Sequence, residues 1–359
     1  MNKIAELISR LCPDGVEFKT LDSLVSYVQP GPYIVSSTEY DAHYSTPVLT
    51  AGQSFILGYT NEEEGIYNAS SQKPVIIFDD FTTSFHWVDF DFKVKSSALK
   101  ILKIKDKQEA DFRYIYMAMK TIHFIPTNHM RHWISLYSKF EIPLPPLNIQ
   151  KEIVSILDSF TSLIDKMKQE VEMRKKQMEY YLNILICKDN VAARLFGDIG
   201  VVQRGKRVVR KELALQGCIP VFQNSLTPLG YYQYSNIPAN NTFIISAGTA
   251  GEIGFSAKPF WAADDCLVIS SVLCDSKYLY YYLKTQVQFL KSQIRGGAMK
   301  RLSRETIEKL EIPVPSLEKQ HQIASILDTF ETYISKLEKM IELRQKQYEY
   351  YREKLLTFE

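Results

Sequence analysis

The chain contains one long segment twice. Residues 139–186 read KFEIPLPPLNIQKEIVSILDSFTSLIDKMKQEVEMRKKQMEYYLNILI, and residues 309–356 read KLEIPVPSLEKQHQIASILDTFETYISKLEKMIELRQKQYEYYREKLL. The two segments align without a gap at a constant offset of 170, and about half of the positions are identical. Similarity at a fixed separation is typical of a repeated supersecondary unit. The 359 residues are therefore expected to build one architecture twice.

Each copy predicts a long helix that follows an extended segment. The Glu-Ile-Pro sequences at 141–143 and 311–313 oppose a helix up to that point. Apolar residues then recur at alternating spacings of three and four, which is the heptad pattern of a coiled coil. They lie at Ile153, Ile156, Phe160, Ile164, Met167, Val171, Met178, Tyr181 and Leu185, and again at Ile323, Ile326, Phe330, Ile334, Leu337, Ile341, Tyr348, Tyr351 and Leu355. About 37 residues give a helix of about 55 Å.

The two helices are expected to pair with each other in an antiparallel coiled coil. Arg174 and Arg344 interrupt the apolar pattern at the same place in both copies. A polar residue in such a seam fixes the register. The alternative is that each helix rests on its own domain. The residues predicted to pair the helices or dock a partner are Phe160, Ile164, Arg174, Tyr181, Phe330, Ile334, Arg344 and Tyr351.

The segment before each helix also has a counterpart. Residues 47–59 resemble 220–232, and the helical pattern of 113–121 resembles 277–285. Short apolar runs such as 98–104 and 266–270 predict strands. We therefore predict an α+β fold with two domains in tandem, at 1–138 (beginning with a short helix) and 188–308. The helices occupy 139–187 and 309–359.

Composition favours a soluble globular protein whose charge is unevenly distributed along the chain. The net charge is only +2, yet residues 187–304 hold 15 basic and 7 acidic side chains, against 11 basic and 15 acidic in 13–138. A phosphate-binding surface is therefore easier to place in the second domain. Five cysteines without metal-ligand spacing indicate the reducing cytoplasm, and no apolar run is long enough to span a membrane.

Three sequences approach catalytic motifs without completing them. Residues 200–207 lack the Ser or Thr of a P-loop, since Arg207 stands in that place. Residues 13–19 spell a nuclease-like PD…ExK with Asp14 and Glu17 too close together, and the glycine-rich 248–254 lacks G-x-G-x-x-G spacing. No histidine set has metal-ligand spacing. The chain is expected to have no catalytic residue and no metal site.

At this point the chain resembles the specificity subunits of type I restriction–modification systems. The resemblance rests on LCPDGVEFKTL at 11–21, the IPLPPL and IPVPSL segments with Gln150 and Gln320 behind them, ILDSF and ILDTF, and RKKQMEYY and RQKQYEYY. It implies a non-enzymatic subunit whose two domains each read half of a split double-stranded DNA target. It also implies that two methyltransferase subunits, and restriction subunits where present, dock on the chain. S-adenosylmethionine, ATP and Mg²⁺ would bind those partners.

Two alternatives stay open at this stage. One is a specificity subunit of a system that methylates but never cleaves, and the other is a coiled-coil adaptor without a DNA function.

Residue types suited to DNA occur in several predicted loops. Lys and Arg neutralise phosphates, while Gln, Asn, Arg and hydroxyl side chains reach base edges. Asp80 would need a cytosine amine to accept from. The predicted contacts are Gln29, Gln53, Thr82, Thr83, Ser84, Arg131 and His132 in the first domain, and Gln203, Arg204, Lys206, Arg207, Gln223, Asn224, Ser225, Thr249, Arg295, Lys300 and Arg301 in the second.

Overall fold

The computed structural model describes residues 6, 8, 10–13, 15–52, 54–126, 130–187, 191–209, 211, 213, 214, 216–294 and 301–358. The chain divides into two compact units, Met1–Lys166 with Ile341–Glu359, and Met167–Met340. Each unit thus combines one predicted domain with parts of both long helices. The predicted boundaries at 138, 187 and 308 divide the sequence into domains and helices. Each compact unit of the structure, in contrast, includes a domain together with segments of both helices.

The first unit is built from short strands and helices. Its strands are β1 (Phe18–Thr20), β2 (Val25–Val28), β3 (Thr46–Leu49), β4 (Ile56–Thr60), β5 (Val75–Asp79), β6 (Phe85–Val88), β7 (Lys93–Val94), β8 (Leu99–Ile104) and β9 (Glu141–Pro143). Its helices are α1 (Leu21–Leu24), α2 (Phe112–Met119) and the start of α3 (Leu147–Cys187), with 3-10 turns at Gly31–Tyr33 and Tyr137–Lys139. The main sheet has the order β2-β8-β5-β6, a smaller sheet the order β4-β3-β7, and β1 pairs with β9.

The second unit repeats this arrangement. Its strands are β10 (Ala193–Leu195), β11 (Gly200–Arg204), β12 (Ile219–Phe222), β13 (Gly230–Tyr232), β14 (Asn241–Ile245), β15 (Ile253–Ser256), β16 (Trp261–Ala262), β17 (Cys266–Ser271) and β18 (Glu311–Pro313). Its helices are α4 (Phe196–Ile199), α5 (Ser276–Thr285), α6 (Val287–Ser292), α7 (Arg304–Glu308) and the start of α8 (Leu317–Leu356). The sheet orders β11-β17-β14-β15, β13-β12-β16 and β10-β18 match those of the first unit.

The central strands of each main sheet are buried on both faces, which explains their nearly continuous apolar sequences. In β5, Ile76 and Phe78 face a core shared with α2 and the long helices. Val75 and Ile77 face a second core shared with the smaller sheet. β14 divides its side chains in the same way. The duplicated α+β architecture is therefore confirmed at the level of packing.

A buried glutamine ties the start of each long helix to its domain. Gln150 and Gln320 are both 0% exposed. Gln150 Oε1 accepts from the backbone N–H of Asp111 at 2.8 Å, and its Nε2 donates to the Pro145 carbonyl at 2.7 Å. Gln320 repeats this with Asp275 at 2.7 Å and Pro315 at 2.9 Å. The glutamine after each IPLPPL-like segment is thus structural.

The helices pair antiparallel within each unit. In the second unit Tyr181 stacks on Phe330 with ring centroids 5.5 Å apart, and Lys175 Nζ lies 2.9 Å from Glu338 Oε1. In the first unit the Phe160 and Tyr351 rings lie 5.5 Å apart. Ile164 and Ile334 are buried. These contacts confirm the antiparallel pairing.

The two seam arginines bridge neighbours on their own helices. Arg174 Nε donates to Glu170 at 2.7 Å and its Nη1 to Gln177 at 2.8 Å, while its guanidinium lies 5.5 Å from the Tyr333 ring centroid. Arg344 Nη1 donates to Gln347 at 2.6 Å. Both guanidinium groups thus find partners at the edge of the seam.

The seam prediction is wrong at the start of α8. Ile326 is 43% exposed, whereas its neighbour Leu327 is fully buried with Ile323 in the second-unit core. Leu157 is buried in the same way at the start of α3. The first turns of each helix pack on their domain, so the core, and not the partner helix, determines the buried face.

Candidate nucleic-acid interface

Several predicted contacts of the second domain meet at one edge of its main sheet. β11 and β14 end there and β17 begins there, because Arg204 pairs with Leu267 and Ile245 with Cys266. The turn Asp264–Asp265 lies between them. Arg204 Nε donates to the Asp264 carbonyl at 2.7 Å, and Arg301 Nη2 lies 3.2 Å from Asp265 Oδ1. The fold therefore brings cations from distant parts of the sequence together.

Amide and hydroxyl side chains extend the same edge. Gln223 Nε2 donates to Asp264 Oδ1 at 3.4 Å, and the Thr249 N–H donates to the Asn224 carbonyl at 2.9 Å. Gly248 has φ +81°, and a Cβ there would lie 2.4 Å from the Asn224 oxygen, so this close approach requires glycine. We call the following set the second-domain edge: Gln203, Arg204, Lys206, Gln223, Asn224, Thr249 and Arg301.

Other predicted residues lie near this edge or outside the described part of the chain. Arg207 is exposed directly after Lys206, and the Ser225 hydroxyl donates to the Thr227 carbonyl at 3.0 Å. Arg295 and Lys300 fall outside the described residues.

A buried thiol without nucleophilic character lies beside the second-domain edge. Burial raises the pKa of Cys266 to about 12. The neutral thiol instead donates to the Phe222 carbonyl at 3.2 Å. Among the described residues, no group of His, Cys, Asp and Glu could hold a metal ion.

The equivalent edge of the first domain is organised around a buried ion pair. We call it the first-domain edge, and it comprises Gln29, Gly52, residues 80–84 and His132. Lys100 Nζ lies 3.0 Å from Asp80 Oδ2, and both side chains are 1% exposed. Asp80 Oδ1 also accepts from the Trp133 backbone N–H at 2.9 Å. Lys100 Nζ donates to Gln29 Oε1 at 3.2 Å, which orients the exposed Gln29 amide. Asp80 is thus a structural residue, and its burial opposes the suggested acceptance from a base.

The remaining first-domain predictions divide by exposure. Thr82 and Arg131 are exposed and Ser84 is partly exposed, whereas Thr83 and His132 are buried. The Thr83 hydroxyl donates to the Thr82 carbonyl at 2.7 Å, and the His132 ring lies 5.4 Å from the Phe124 ring. Gln53 lies outside the described residues, although Gly52 beside it is part of this edge.

Sequence reasoning missed Lys100 altogether. Within LKILKI it reads as the solvent-facing residue of a strand, but it is buried against Asp80. A lysine inside a strand that is buried on both faces is the signal that could have found it, since buried charges need partners. The P-loop-like sequence begins with β11, a regular strand of the main sheet, so its first residues form no phosphate-binding loop.

No helix in the described part of the chain has the length and apolarity that a membrane crossing would need.

Comparisons with known proteins agree with this architecture. The sequence profile of the family described as "Type I restriction modification DNA specificity domain" matches residues 13–173 and 189–345. The chain is 36% identical to the EcoR124I/EcoR124II specificity subunit of Escherichia coli, covering 96% of this chain and 95% of that one. It is 28% identical to a specificity subunit described as putative in Haemophilus influenzae, covering 96% of each.

Solved structures share the fold. The S subunit of a type I restriction–modification system from M. genitalium superposes with a TM-score of 0.71 at 17% identity, covering 95% of this chain and 96% of that chain. At that identity the likeness concerns the fold alone.

Proposed function

The chain belongs to the type I restriction–modification DNA specificity family, and from this premise we propose that its two edges each read one half of a split DNA target. The observation that carries the proposal is the duplication of the edge: the same strand ends carry Gln29 in one unit and Gln203 and Arg204 in the other. Amide and guanidinium groups on such loops suit base edges and phosphates.

The chain serves this function as a non-catalytic subunit. Its relatives are named specificity subunits, and the chemistry lies with other subunits of the complex. We propose that S-adenosylmethionine, ATP and Mg²⁺ bind those partners, in the cytoplasm. The purified chain alone is then expected to lack methyltransferase, nuclease and ATPase activity.

The exposed faces of the long helices favour the docking of two copies of one partner. Leu163, Met173 and Tyr180 are exposed on α3, and Tyr333, Leu343 and Tyr350 are exposed at the equivalent positions of α8. Apolar side chains repeated at an offset of 170 fit two identical partners better than one. We propose that these surfaces dock two methyltransferase subunits, with restriction subunits joining in a restricting system.

Mapping modified bases in the host genome, with and without the gene for this chain, tests the function. A split motif that is methylated only when the gene is present is expected. Unchanged methylation, together with no DNA binding by the assembled complex, would favour an adaptor without a DNA role. For docking, M173E and L343E should each release one methyltransferase copy by native mass spectrometry. Loss of both copies from either variant would contradict two equivalent docks.

A further inference from the structure

A cavity of about 450 Å³ lies at the first-domain edge. Gly52, Thr83 and Ser84, from two loops predicted to contact DNA, form part of its wall. Lys120, just after α2, and Arg352, near the end of α8, complete this side of the cavity. A cation from late in the chain thus reaches loops that lie far earlier in the sequence.

Arg352 carries a donor without an acceptor. Its side chain is partly buried, and its Nε atom is buried with no hydrogen-bond partner in the described part of the chain. No carboxylate is among the described residues that line the cavity. Burying a guanidinium N–H without an acceptor costs free energy. The cavity therefore offers the positive charges of Arg352 and Lys120 to an anion, with no carboxylate among its described lining residues to oppose it.

The helix pairing does not require an arginine at this position. The residue equivalent to Arg352 in the first copy of the repeat is Leu182, which packs against the second-unit core. One position thus holds a cation beside the first domain and an apolar residue beside the second. Arg352 therefore has a role in the first unit that Leu182, at the equivalent position, does not have in the second.

The cavity wall also holds backbone strain. Thr83 has φ +57°, an uncommon conformation for a β-branched residue. Gly251 holds the equivalent place in the second unit, since the N–H groups of Thr83 and Gly251 donate to the last residues of β5 and β14. Glycine adopts this conformation without strain, so the second unit avoids the cost. Strain of this kind persists mainly at functional sites.

We propose that this cavity binds a phosphodiester group of the DNA backbone, held by Arg352 and Lys120. The inference rests on the proposed function and adds to it that the end of α8 contributes to the DNA contact of the first domain. One guanidinium group can donate two parallel hydrogen bonds to the oxygens of one phosphate, and a lysine adds a second positive charge. Such a contact positions the duplex and leaves the recognised bases unchanged.

The test uses the chain assembled with its methyltransferase partner and a duplex that carries the mapped target. Dissociation constants are measured over a range of salt concentrations for the wild type and for R352L, R352K and a control, K354L, which removes an exposed cation two residues away. R352L is expected to bind about tenfold more weakly and to lose about 0.9 from the salt slope. R352K should keep most of the slope, K354L all of it, and the methylated sequence should not change.

An R352L complex with wild-type affinity and slope would overturn the inference. Wild-type complex that binds no duplex would instead refute the proposed function itself. Thermal unfolding shows whether R352L folds, as the leucine at 182 leads us to expect. If it does not, R352Q takes its place with the same two outcomes.

A parallel measurement separates DNA from a small anion. Inorganic phosphate is added to the complex without DNA, and the melting temperature is recorded. If phosphate stabilises the wild type and not R352L while the DNA salt slope stays unchanged, the cavity takes a free anion, and its assignment to DNA is wrong.

Discussion

The two edges share a backbone arrangement and differ in where they hold charge. The N–H groups of Asp80 and Ser246 donate to the carbonyls of Ala98 and Asp265, and their carbonyls accept from the residues at 132 and 302. In the first domain this position carries one half of a buried ion pair. In the second domain, the acid is Asp265, and the side chain of its partner Arg301 is 44% exposed. The same backbone arrangement therefore orients the neutral Gln29 amide in the first domain and presents the Arg301 cation in the second.

Breaking each ion pair should expose this difference most strongly. Lys100→Met leaves the buried Asp80 without its cation and is expected to destabilise the first unit by about 3–5 kcal/mol. Arg301→Met removes an exposed partner and should cost at most about 1 kcal/mol. The free energies of unfolding of the two variants are compared by urea unfolding, followed by tryptophan fluorescence. Lys100→Met is measured in a Trp261→Phe background, so that the remaining fluorescence signal comes from the first unit. Equal costs would mean that burial does not distinguish the pairs.

Removing the three cations at the end of β11 and directly after it should weaken DNA binding by the assembled complex about a hundredfold at low salt. Alanine at Arg204, Lys206 and Arg207 together is expected to lower the salt slope by about 0.9 for each phosphate that these side chains neutralise in the wild type. Binding isotherms at several salt concentrations measure both quantities. Alanine at the exposed Lys151, Lys166 and Lys176 removes the same charge elsewhere and should leave the slope nearly unchanged. If both triple variants behave alike, only net charge matters.

The two buried glutamines, Gln150 and Gln320, test a feature that the two domains share. Gln150→Ala and Gln320→Ala each leave a backbone N–H and two carbonyls without a partner and should each cost about 1–3 kcal/mol. Denaturant midpoints of the two variants provide the measurement. Gln72→Ala, at an exposed turn, is the control. A difference of several kcal/mol between the two glutamines would contradict their structural equivalence.

Lengthening α3 should change the spacing of the two half-sites with little change in affinity. Four residues duplicated near Met167 add about 6 Å of helix, which corresponds to one or two base-pair steps of about 3.4 Å. Methylation mapping should find a gap longer by one or two base pairs between unchanged half-sites. The same four residues inserted at the exposed Ser235 should leave the gap as it is. A constant gap in the α3 variant would show that the helices do not set the spacing.

Sequence reasoning succeeded where one periodicity determines the structure. Heptads predicted that the two helices pair, as the contact of Tyr181 with Phe330 shows, and the repeat predicted the duplicated domains. The prediction of buried positions failed where a helix contacts both its partner helix and a domain core. This is the case at Ile326 and Leu327, whose helix turn faces the core of the second unit. The buried pair of Asp80 with Lys100 joins residues twenty apart through strand pairing, which no local pattern encodes. Arg352 escaped notice because the repeat offers a leucine in its place.

The division of the chain also has a consequence for its synthesis. The second unit is continuous in sequence, whereas the first needs Leu355 and Leu356, which are buried in its core. A ribosome makes the chain from the N-terminus, so the first domain is translated early but cannot complete its core until Leu355 and Leu356 have emerged. The later half can thus reach its native state first. Domains usually fold in the order of their synthesis, whereas here the unit that is begun first is completed last.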